Sequence, residues 1–242
     1  MLDKIVKDYI DDFMAKNSDP ELKNYIVPNS IPIVWFGNLD NYMKSERRIV
    51  TIGLNSSLNE FSEPRVQEIC FDDEVDSKKV ESLKQTLDSY FDKNPYKMWF
   101  CKGDRVLNDS FDATYYTEKA TNQGLNQAIH IDVYTAIATD PTWGRLDNDV
   151  RKRLRNTGLF NTLLNYLNPD ILLVFTNRTV FNKMFGDFIF EGERYQNPDR
   201  PSTFYVRKYK RENQVLFWIY NNHGMAFGPG FDFIVNSIKD LE

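Results

Sequence analysis

The chain has 242 residues, of which 41% are hydrophobic and 14% aromatic, so it is long enough to bury a sizeable core. Its net charge of −5 argues against a protein that coats nucleic acid through a uniformly basic surface. Two cysteines, Cys70 and Cys101, are too few for a disulfide scaffold or an all-thiolate metal site. No apolar run reaches the ~20 residues of a membrane helix, and the first residues lack a signal-peptide core, so we expect a cytoplasmic protein with no membrane contact.

The spacing of apolar residues predicts the secondary structure. A helical period predicts helices over residues 2–15, 78–92, 147–167 and 179–185, with a final helix that buries Phe231, Ile234, Val235, Ile238 and Leu241. Continuous or alternating apolar runs predict strands over residues 31–37, 49–54, 129–133, 171–175, 204–209 and 215–220. The aromatic-rich stretch 94–127 is expected to be irregular.

The alternation of strands and helices predicts the fold class. Short apolar strands such as 171–175 are typical of parallel strands that are buried on both faces. We therefore expect a three-layer α/β/α sandwich with a central, mostly parallel sheet. No repeat or linker divides the sequence, so residues 1–242 are expected to form a single domain, with residues 1–30 as an N-terminal helical extension.

Polar residues cluster where the predicted strands end. Gly53, Asn55 and Ser56 follow the strand over 49–54, and the simplest interpretation of such a segment is a turn. However, the carboxyl ends of parallel strands lie at one edge of a sheet, where open α/β sheets bind ligands. We therefore expect one cleft to collect the polar residues of several strand ends: Asn55, His130, Asp132, Asn177, Arg178, Asn222 and His223.

Two of these segments resemble the signature motifs of the uracil-DNA glycosylase superfamily. Gly53-Leu54-Asn55-Ser56-Ser57 resembles the water-activating motif, usually Gly-x-Asn-Pro or Gly-x-Asp-Pro. Asn222-His223-Gly224-Met225-Ala226-Phe227 resembles the late histidine loop that enters the minor groove. Residues 129–135 match the strand that carries the base-reading residue, and with residues 138–143 they are most similar to an uncharacterised bacterial branch. The resemblance covers about residues 33–235.

The resemblance implies a uracil-DNA glycosylase-like fold and a DNA-repair hydrolase. Such an enzyme is monofunctional, needs no metal or cofactor, and hydrolyses the N-glycosidic bond of a uracil or modified pyrimidine. Its partner is DNA, either single-stranded or with the target base flipped out of a duplex. Two departures matter, because Ser56 replaces the usual proline and Asp132 stands where uracil-specific members carry asparagine. The iron–sulfur branch is disfavoured, because two cysteines cannot supply four thiolates.

The resemblance also assigns roles to individual residues. Asn55 would hold the attacking water, and His223 would donate a hydrogen bond to the departing base. Met225 or Phe227 would fill the gap left by the flipped base. The remaining residues would bind the substrate: Gly53, Leu54, Ser56, Phe61, Phe71, Asp132 and Asn222. Alternatively, Asn55 is a turn residue, His223 caps the final helix, and Met225 and Phe227 pack against that helix.

Asp132 suggests a substrate preference. An ionised carboxylate only accepts hydrogen bonds, so it opposes the O4 of uracil and matches an amino group such as N4 of cytosine. The sequence therefore predicts a preference for an amino-bearing base, such as a modified cytosine. The alternative is that Asp132 bonds to groups within the sheet edge and never meets a base.

Two further functions remain open at this point: a catalytically weak module that binds nucleic acid or a modified base, and a pocket for a free nucleoside. A serine hydrolase and a dinucleotide enzyme are disfavoured, because neither Gly-x-Ser-x-Gly nor Gly-x-Gly-x-x-Gly follows a strand. We expect weak, salt-sensitive DNA binding, for which the basic segments 151–155 and 207–211 are candidates unless they are ordinary surface. Replacing Asn55 or His223 by alanine is expected to slow base release with little loss of stability.

Overall fold

A computed structural model describes residues 1–61, 77–134, 136–200, 204–221 and 231–241. The chain divides into two compact units, each built from three stretches. The first unit comprises Met1–Asn38, Leu54–Tyr96 and His130–Asn168, and the second comprises Leu39–Gly53, Lys97–Ile129 and Pro169–Glu242. That residues 1–242 form one domain stays a prediction.

The described strands form a seven-stranded sheet in the order β2-β3-β1-β4-β7-β6-β5, and every strand except β3 lies wholly in the second unit. The strands are β1 Ile49–Gly53, β2 Ala113–Thr114, β3 Asn126–Asp132, β4 Ile171–Val174, β5 Ile189–Gln196, β6 Phe204–Arg211 and β7 Gln214–Asn221. The pairs β2–β3, β1–β4 and β4–β7 are parallel, whereas β5–β6 and β6–β7 are antiparallel. The last three residues of β3, His130–Asp132, belong to the first unit. The predicted α/β class with a mostly parallel sheet is therefore confirmed.

The described helices follow the chain in the same numbering. They are α1 Leu2–Asn17, α2 Leu39–Lys44, α3 Ser77–Asp88, α4 Lys97–Phe111, α5 Thr117–Gln123, α6 Asn148–Leu154, α7 Thr157–Leu167, α8 Arg178–Met184 and α9 Phe231–Leu241. Short 3-10 helices span Lys23–Tyr25, Leu58–Glu60 and Trp143–Arg145.

In the second unit, helices pack on both faces of the sheet. Phe181 of α8 stacks on Trp218 of β7, with the ring centroids 4.1 Å apart. Phe233 of α9 contacts Phe204 of β6 edge-on at 5.2 Å. Trp218 pairs with Arg207, which lies three residues from Phe204 along β6, so the two contacts are on opposite faces. Within this unit, helices α8 and α9 therefore cover opposite faces of the sheet, as in a layered α/β arrangement.

In the first unit, helices provide most of the regular structure. The apolar stripe of α1 is buried, and α1 packs against α7 and α3. This stripe consists of Ile5, Val6, Tyr9, Ile10 and Phe13. The predicted helix over residues 2–15 is therefore confirmed, because a 3.6-residue apolar period specifies a one-sided helix.

Several predicted elements differ from those in the structure. Residues 31–37 are not a strand, because Pro32 has no N–H and only Phe36 forms a bridge, with His130. The predicted helix over 147–167 is two helices, and Asn156 caps the second by accepting a hydrogen bond from the N–H of Leu159 at 3.4 Å. The stretch 94–127, predicted to be irregular, contains α4, β2 and α5.

Candidate functional site

The loop after β1 lies in the first unit together with the segment that follows β3. The N–H of Tyr134 donates to the carbonyl of Leu54 at 2.9 Å, and the N–H of Thr139 donates to the carbonyl of Ser56 at 3.1 Å. Ser57 and Thr139 also form an isolated parallel bridge. Residues 54–61, 130–134 and 136–139 therefore form one structure, which we call the Asn55 loop cluster.

The Asn55 side chain joins the two segments through three short hydrogen bonds. Its amide nitrogen Nδ2 donates to the carbonyls of Tyr134 and Ile137, both at 2.7 Å. Its amide oxygen Oδ1 accepts from Oγ1 of Thr139, also at 2.7 Å. These bonds use both amide protons and one of the two lone pairs of the oxygen. Asn55 is half-buried, and these three bonds leave the second lone pair of Oδ1 unused.

The carbonyls that Asn55 holds flank a residue with an unusual backbone conformation. Ala136, between Tyr134 and Ile137, has a φ angle of 72°, in the left-handed region. That region costs an L-residue roughly 1–2 kcal/mol. Two backbone hydrogen bonds with Ile33, at 3.1 and 3.4 Å, also anchor Ala136. Asn55 therefore helps to hold a turn that local preference opposes.

Asp132 lies in the same cluster and is buried. Its Oδ2 accepts a hydrogen bond from Oγ of Ser56 at 2.8 Å, and its Oδ1 lies 3.4 Å from Nε2 of His130. Both of its oxygens therefore have protein partners. This geometry favours the interpretation that Asp132 bonds within the sheet edge, while its role as a base reader stays a prediction.

Glu60 adds a second buried carboxyl group to the cluster. Its Oε2 accepts from the N–H of Ser57 at 2.8 Å and from the hydroxyl of Ser57 at 3.0 Å, and together these two residues form a capping box. Burial, with a smaller contribution from the nearby negative charge of Asp132, raises the pKa of Glu60 from 4.5 to about 7. The charge of Glu60 therefore changes near neutral pH, as the charges of functional carboxyl groups often do.

The other predicted site residues have varied positions. Gly53 ends β1 and is buried, whereas Leu54 and Phe61 are half-buried. Phe61 follows the 3-10 helix Leu58–Glu60. Five predicted site residues lie outside the described residues: Phe71, Asn222, His223, Met225 and Phe227. The structure therefore brings Asn55, Ser56 and Asp132 together, and the part assigned to the late histidine loop stays a prediction.

The sequence interpretation assigned no role to three members of the cluster, Ser57, Glu60 and Thr139. Ser57 and Glu60 form the Ser-x-x-Glu pattern of a capping box, so this signal was present in the sequence. Thr139 has no comparable signal, because only the fold brings its hydroxyl to Asn55. Among the described residues, no group of three or more His, Cys, Asp or Glu side chains could hold a metal ion. Within the same residues, no helix combines the length and apolarity needed to cross a membrane.

Comparison of the chain with models of known protein families and with curated proteins finds no match in either set.

Proposed function

We propose that this chain is a DNA glycosylase with a three-layer, uracil-DNA glycosylase-like fold, which hydrolyses the N-glycosidic bond of a flipped uracil or modified pyrimidine. One observation carries the proposal: the half-buried Asn55 amide is fixed by three hydrogen bonds and keeps one acceptor lone pair. A preorganised amide can hold a water without reorganising during the reaction. The mostly parallel sheet supports the proposal at the coarser level of fold class.

In the proposed reaction, the glycosidic bond breaks first and water then adds to the sugar. The base leaves as an anion and takes the bonding electron pair, while positive charge develops on the sugar. Asn55 would hold the water through Oδ1, because an amide is too weak a base to remove a proton early. Once the water has added to the sugar, its surplus proton passes to the departed base anion, so that atoms and charge balance. His223 would donate a hydrogen bond to the base as its negative charge grows, a contribution of about 3 kcal/mol for one such donor.

Within this proposal, Asp132 acts first as a positioning residue. Its carboxylate accepts from Ser56, the residue that stands where the superfamily motif usually has proline. A proline restricts the backbone directly, and the hydrogen bond from Ser56 to Asp132 would restrict the same loop through a side chain. The preference for an amino-bearing base would then use an acceptor site of the Asp132 carboxylate that Ser56 and His130 leave open.

The test is a base-release assay on single- and double-stranded DNA that carries one uracil, cytosine or modified cytosine, followed by alkaline cleavage of abasic sites. We expect release by the wild type and a loss of about 10²-fold or more in His223→Ala. Asn161→Ala, an exposed helix position in the first unit, serves as the matched control. No release from any of these DNAs, or an unchanged rate in His223→Ala, would contradict the proposal.

The same assay tests the substrate preference. Asp132→Asn keeps an acceptor for Ser56 and adds a donor that matches O4 of uracil. If Asp132 reads the base, this variant releases uracil faster relative to modified cytosine than the wild type does. If Asp132 only positions the loop, both rates change by the same factor.

A module that binds nucleic acid without releasing a base is the second candidate. It is favoured by the observation that the Asp132 carboxylate and both Asn55 amide protons already have protein partners. Retention of the chain on single-stranded DNA with no abasic site formed would support this candidate over the enzyme.

A further inference from the structure

The β5–β6–β7 part of the second unit carries a group of cationic and aromatic side chains on one face. Tyr205 and Tyr220 stack with their ring centroids 4.8 Å apart. The guanidinium carbons of Arg194 and Arg207 lie 4.0 and 5.0 Å from the centre of the Tyr205 ring. Nη2 of Arg178 donates to the Tyr205 hydroxyl at 3.3 Å. We call these five residues the arginine–tyrosine cluster.

A β-bulge brings two of these arginines together. Glu191 pairs with Lys208, but the next paired residue of β5, Arg194, lies opposite Arg207, so Gly192 and Glu193 are extra residues. Gly192 has a φ angle of 82°, which glycine adopts without the strain of a side chain. Bulges of this kind redirect side chains at sheet edges. Here the bulge places one arginine directly opposite another, and like charges in that position destabilise a sheet.

Two of the three arginines in this cluster lack a carboxylate partner among the described residues. Across the described part of the chain, neither Arg178 nor Arg207 forms an ion pair. The Nε of Arg207 is buried and has no hydrogen-bond partner there. By contrast, the other basic side chains of these strands are paired, as Lys210 is with Glu191 at 2.9 Å and Arg211 with Asp187 at 2.5 Å. Two guanidinium groups without an ion pair, those of Arg178 and Arg207, therefore lie beside the Tyr205 ring, and an anion bound there would relieve the repulsion between them.

The position and chemistry of the cluster point to the kind of anion. Arg178 begins α8 just after β4, and Tyr220 lies near the end of β7, so both are at the carboxyl edge of parallel strands, where such sheets bind ligands. Arg178 is exposed, and Tyr220 is half-buried with its ring stacked on Tyr205. Guanidinium groups bind phosphates bidentately, and tyrosine rings stack on bases.

We propose that the arginine–tyrosine cluster binds a single-stranded nucleic acid, with Arg178, Arg194 and Arg207 contacting backbone phosphates and Tyr220 stacking on a base. This interaction does not depend on base release, because the strand needs no damaged base and no residue of the Asn55 loop cluster takes part. The chain binds such a strand through this face despite its net charge of −5.

The test measures fluorescence anisotropy of a labelled oligothymidylate of about 12 nucleotides, within the site size of single-strand binders. The salt dependence of binding reports phosphate contacts, at about −0.7 in log K against log salt for each contact on a single strand. We expect Arg194→Gln combined with Arg207→Gln to make this slope shallower by about 1.4 and to weaken binding. Tyr220→Leu is expected to weaken binding roughly tenfold with an unchanged slope, because stacking releases no counterions.

Two further variants separate phosphate binding from a purely structural role. Arg105→Gln removes an exposed arginine of the same unit that is already paired with Asp109 and Asp232, so its slope should match that of the wild type. Arg194→Glu can pair with Arg207, so we expect it to keep or raise the melting temperature while losing oligonucleotide affinity.

An unchanged slope in the double variant would overturn the proposal, as would a slope change of the same size in Arg105→Gln. Oligonucleotide binding that depends on the cluster, in a protein that releases no base from any DNA, would support this inference and contradict the proposed enzyme. If the protein releases a base and the cluster variants bind oligonucleotide as well as the wild type does, the proposed enzyme is supported and this inference is contradicted.

Discussion

The Asn55 loop cluster and the arginine–tyrosine cluster differ in whether their polar groups have partners. In the first, Asn55 and Ser56 donate to oxygens at 2.7–2.8 Å, so buried polar groups have partners. In the second, Arg194 lies opposite Arg207, and Arg207 keeps a buried Nε that has no partner among the described residues. Paired groups stabilise the fold, whereas opposed charges weaken it slightly and favour an anionic ligand. The two regions should therefore respond oppositely to removal of a polar side chain.

The largest expected effect is that of Asn55→Ala. The variant leaves the carbonyls of Tyr134 and Ile137 and the hydroxyl of Thr139 without their partner, and all three residues are buried. Each unsatisfied buried group costs about 1–3 kcal/mol, so we expect the free energy of unfolding to fall by about 4 kcal/mol. Chemical denaturation measures this fall. The free energy of unfolding of the control variant Asn161→Ala is expected to change by less than about 0.5 kcal/mol.

These hydrogen bonds change the interpretation of Asn55. As a polar loop residue, it was expected to be removable with little loss of stability because no core cavity would form. Its amide instead bonds to three buried groups, whose loss of a partner is costly without any cavity. A lower activity in Asn55→Ala alone would therefore not show a catalytic role. Activity must be compared per folded molecule, and loss of stability without loss of specific activity would assign Asn55 to the fold alone.

The next effect is that of Glu60→Gln, and it depends on pH. Because the pKa of Glu60 is raised from 4.5 to about 7 by folding, the folded chain holds a proton that the unfolded chain releases between these values. The free energy of unfolding of the wild type therefore falls as the pH rises through this window. A shift of this size corresponds to about 3 kcal/mol.

Glutamine keeps an acceptor for Ser57 and has no charge to bury. We expect Glu60→Gln to be more stable than the wild type by about 3 kcal/mol at pH 8, with the difference shrinking towards pH 4.5. Urea denaturation at a series of pH values measures this. A difference between the two proteins that does not vary with pH would show that folding does not raise the pKa of Glu60.

A smaller effect is expected at the hydrogen bond from Ser56 to Asp132. Ser56→Ala removes a donor to a buried carboxylate, which typically costs about 2 kcal/mol. A double-mutant cycle with Asp132→Ala, which removes the acceptor, isolates this bond, and we expect a coupling free energy of about 1–2 kcal/mol. Additive effects of the two substitutions would mean that the hydrogen bond contributes nothing to stability.

The sequence was informative where one local signal determines the structure. Apolar runs such as Ile171–Val174 predicted the parallel strands, and the helical period of residues 2–15 predicted α1, because burial on one or both faces leaves a periodic pattern. The prediction that residues 94–127 are irregular was wrong, because aromatic residues along α4 obscured its apolar stripe. The edge strand β5 was also missed, because Glu191, Glu193 and Arg194 give it the polar composition of a loop.

The candidate site was predictable only in part, for a related reason. Asn55 and Asp132 were identified by their positions at strand ends, which local patterns reveal. Their actual partners, Thr139 for the first and Ser56 for the second, depend on how residues about 80 positions apart meet in the fold. No pattern in the sequence indicates which of several polar groups will form a hydrogen bond with a given side-chain amide.

The smallest expected effect is at the opposed arginines. Like charges directly opposite in a sheet destabilise it, so the charge change in Arg194→Glu, which can pair with Arg207, should by itself contribute about 0.5–1 kcal/mol of stability at low salt. Arg194 also lies over the Tyr205 ring, and losing that contact subtracts about 0.5 kcal/mol, so the net gain in the free energy of unfolding is at most about 0.5 kcal/mol. Added salt screens the charges and not the packing, so the gain should shrink as salt increases.

Arg105→Gln, which breaks existing ion pairs, should instead give no gain. Denaturation of both variants at low and high salt tests the contrast, and a loss of stability in Arg194→Glu at low salt would mean that its stacking on Tyr205 outweighs the repulsion.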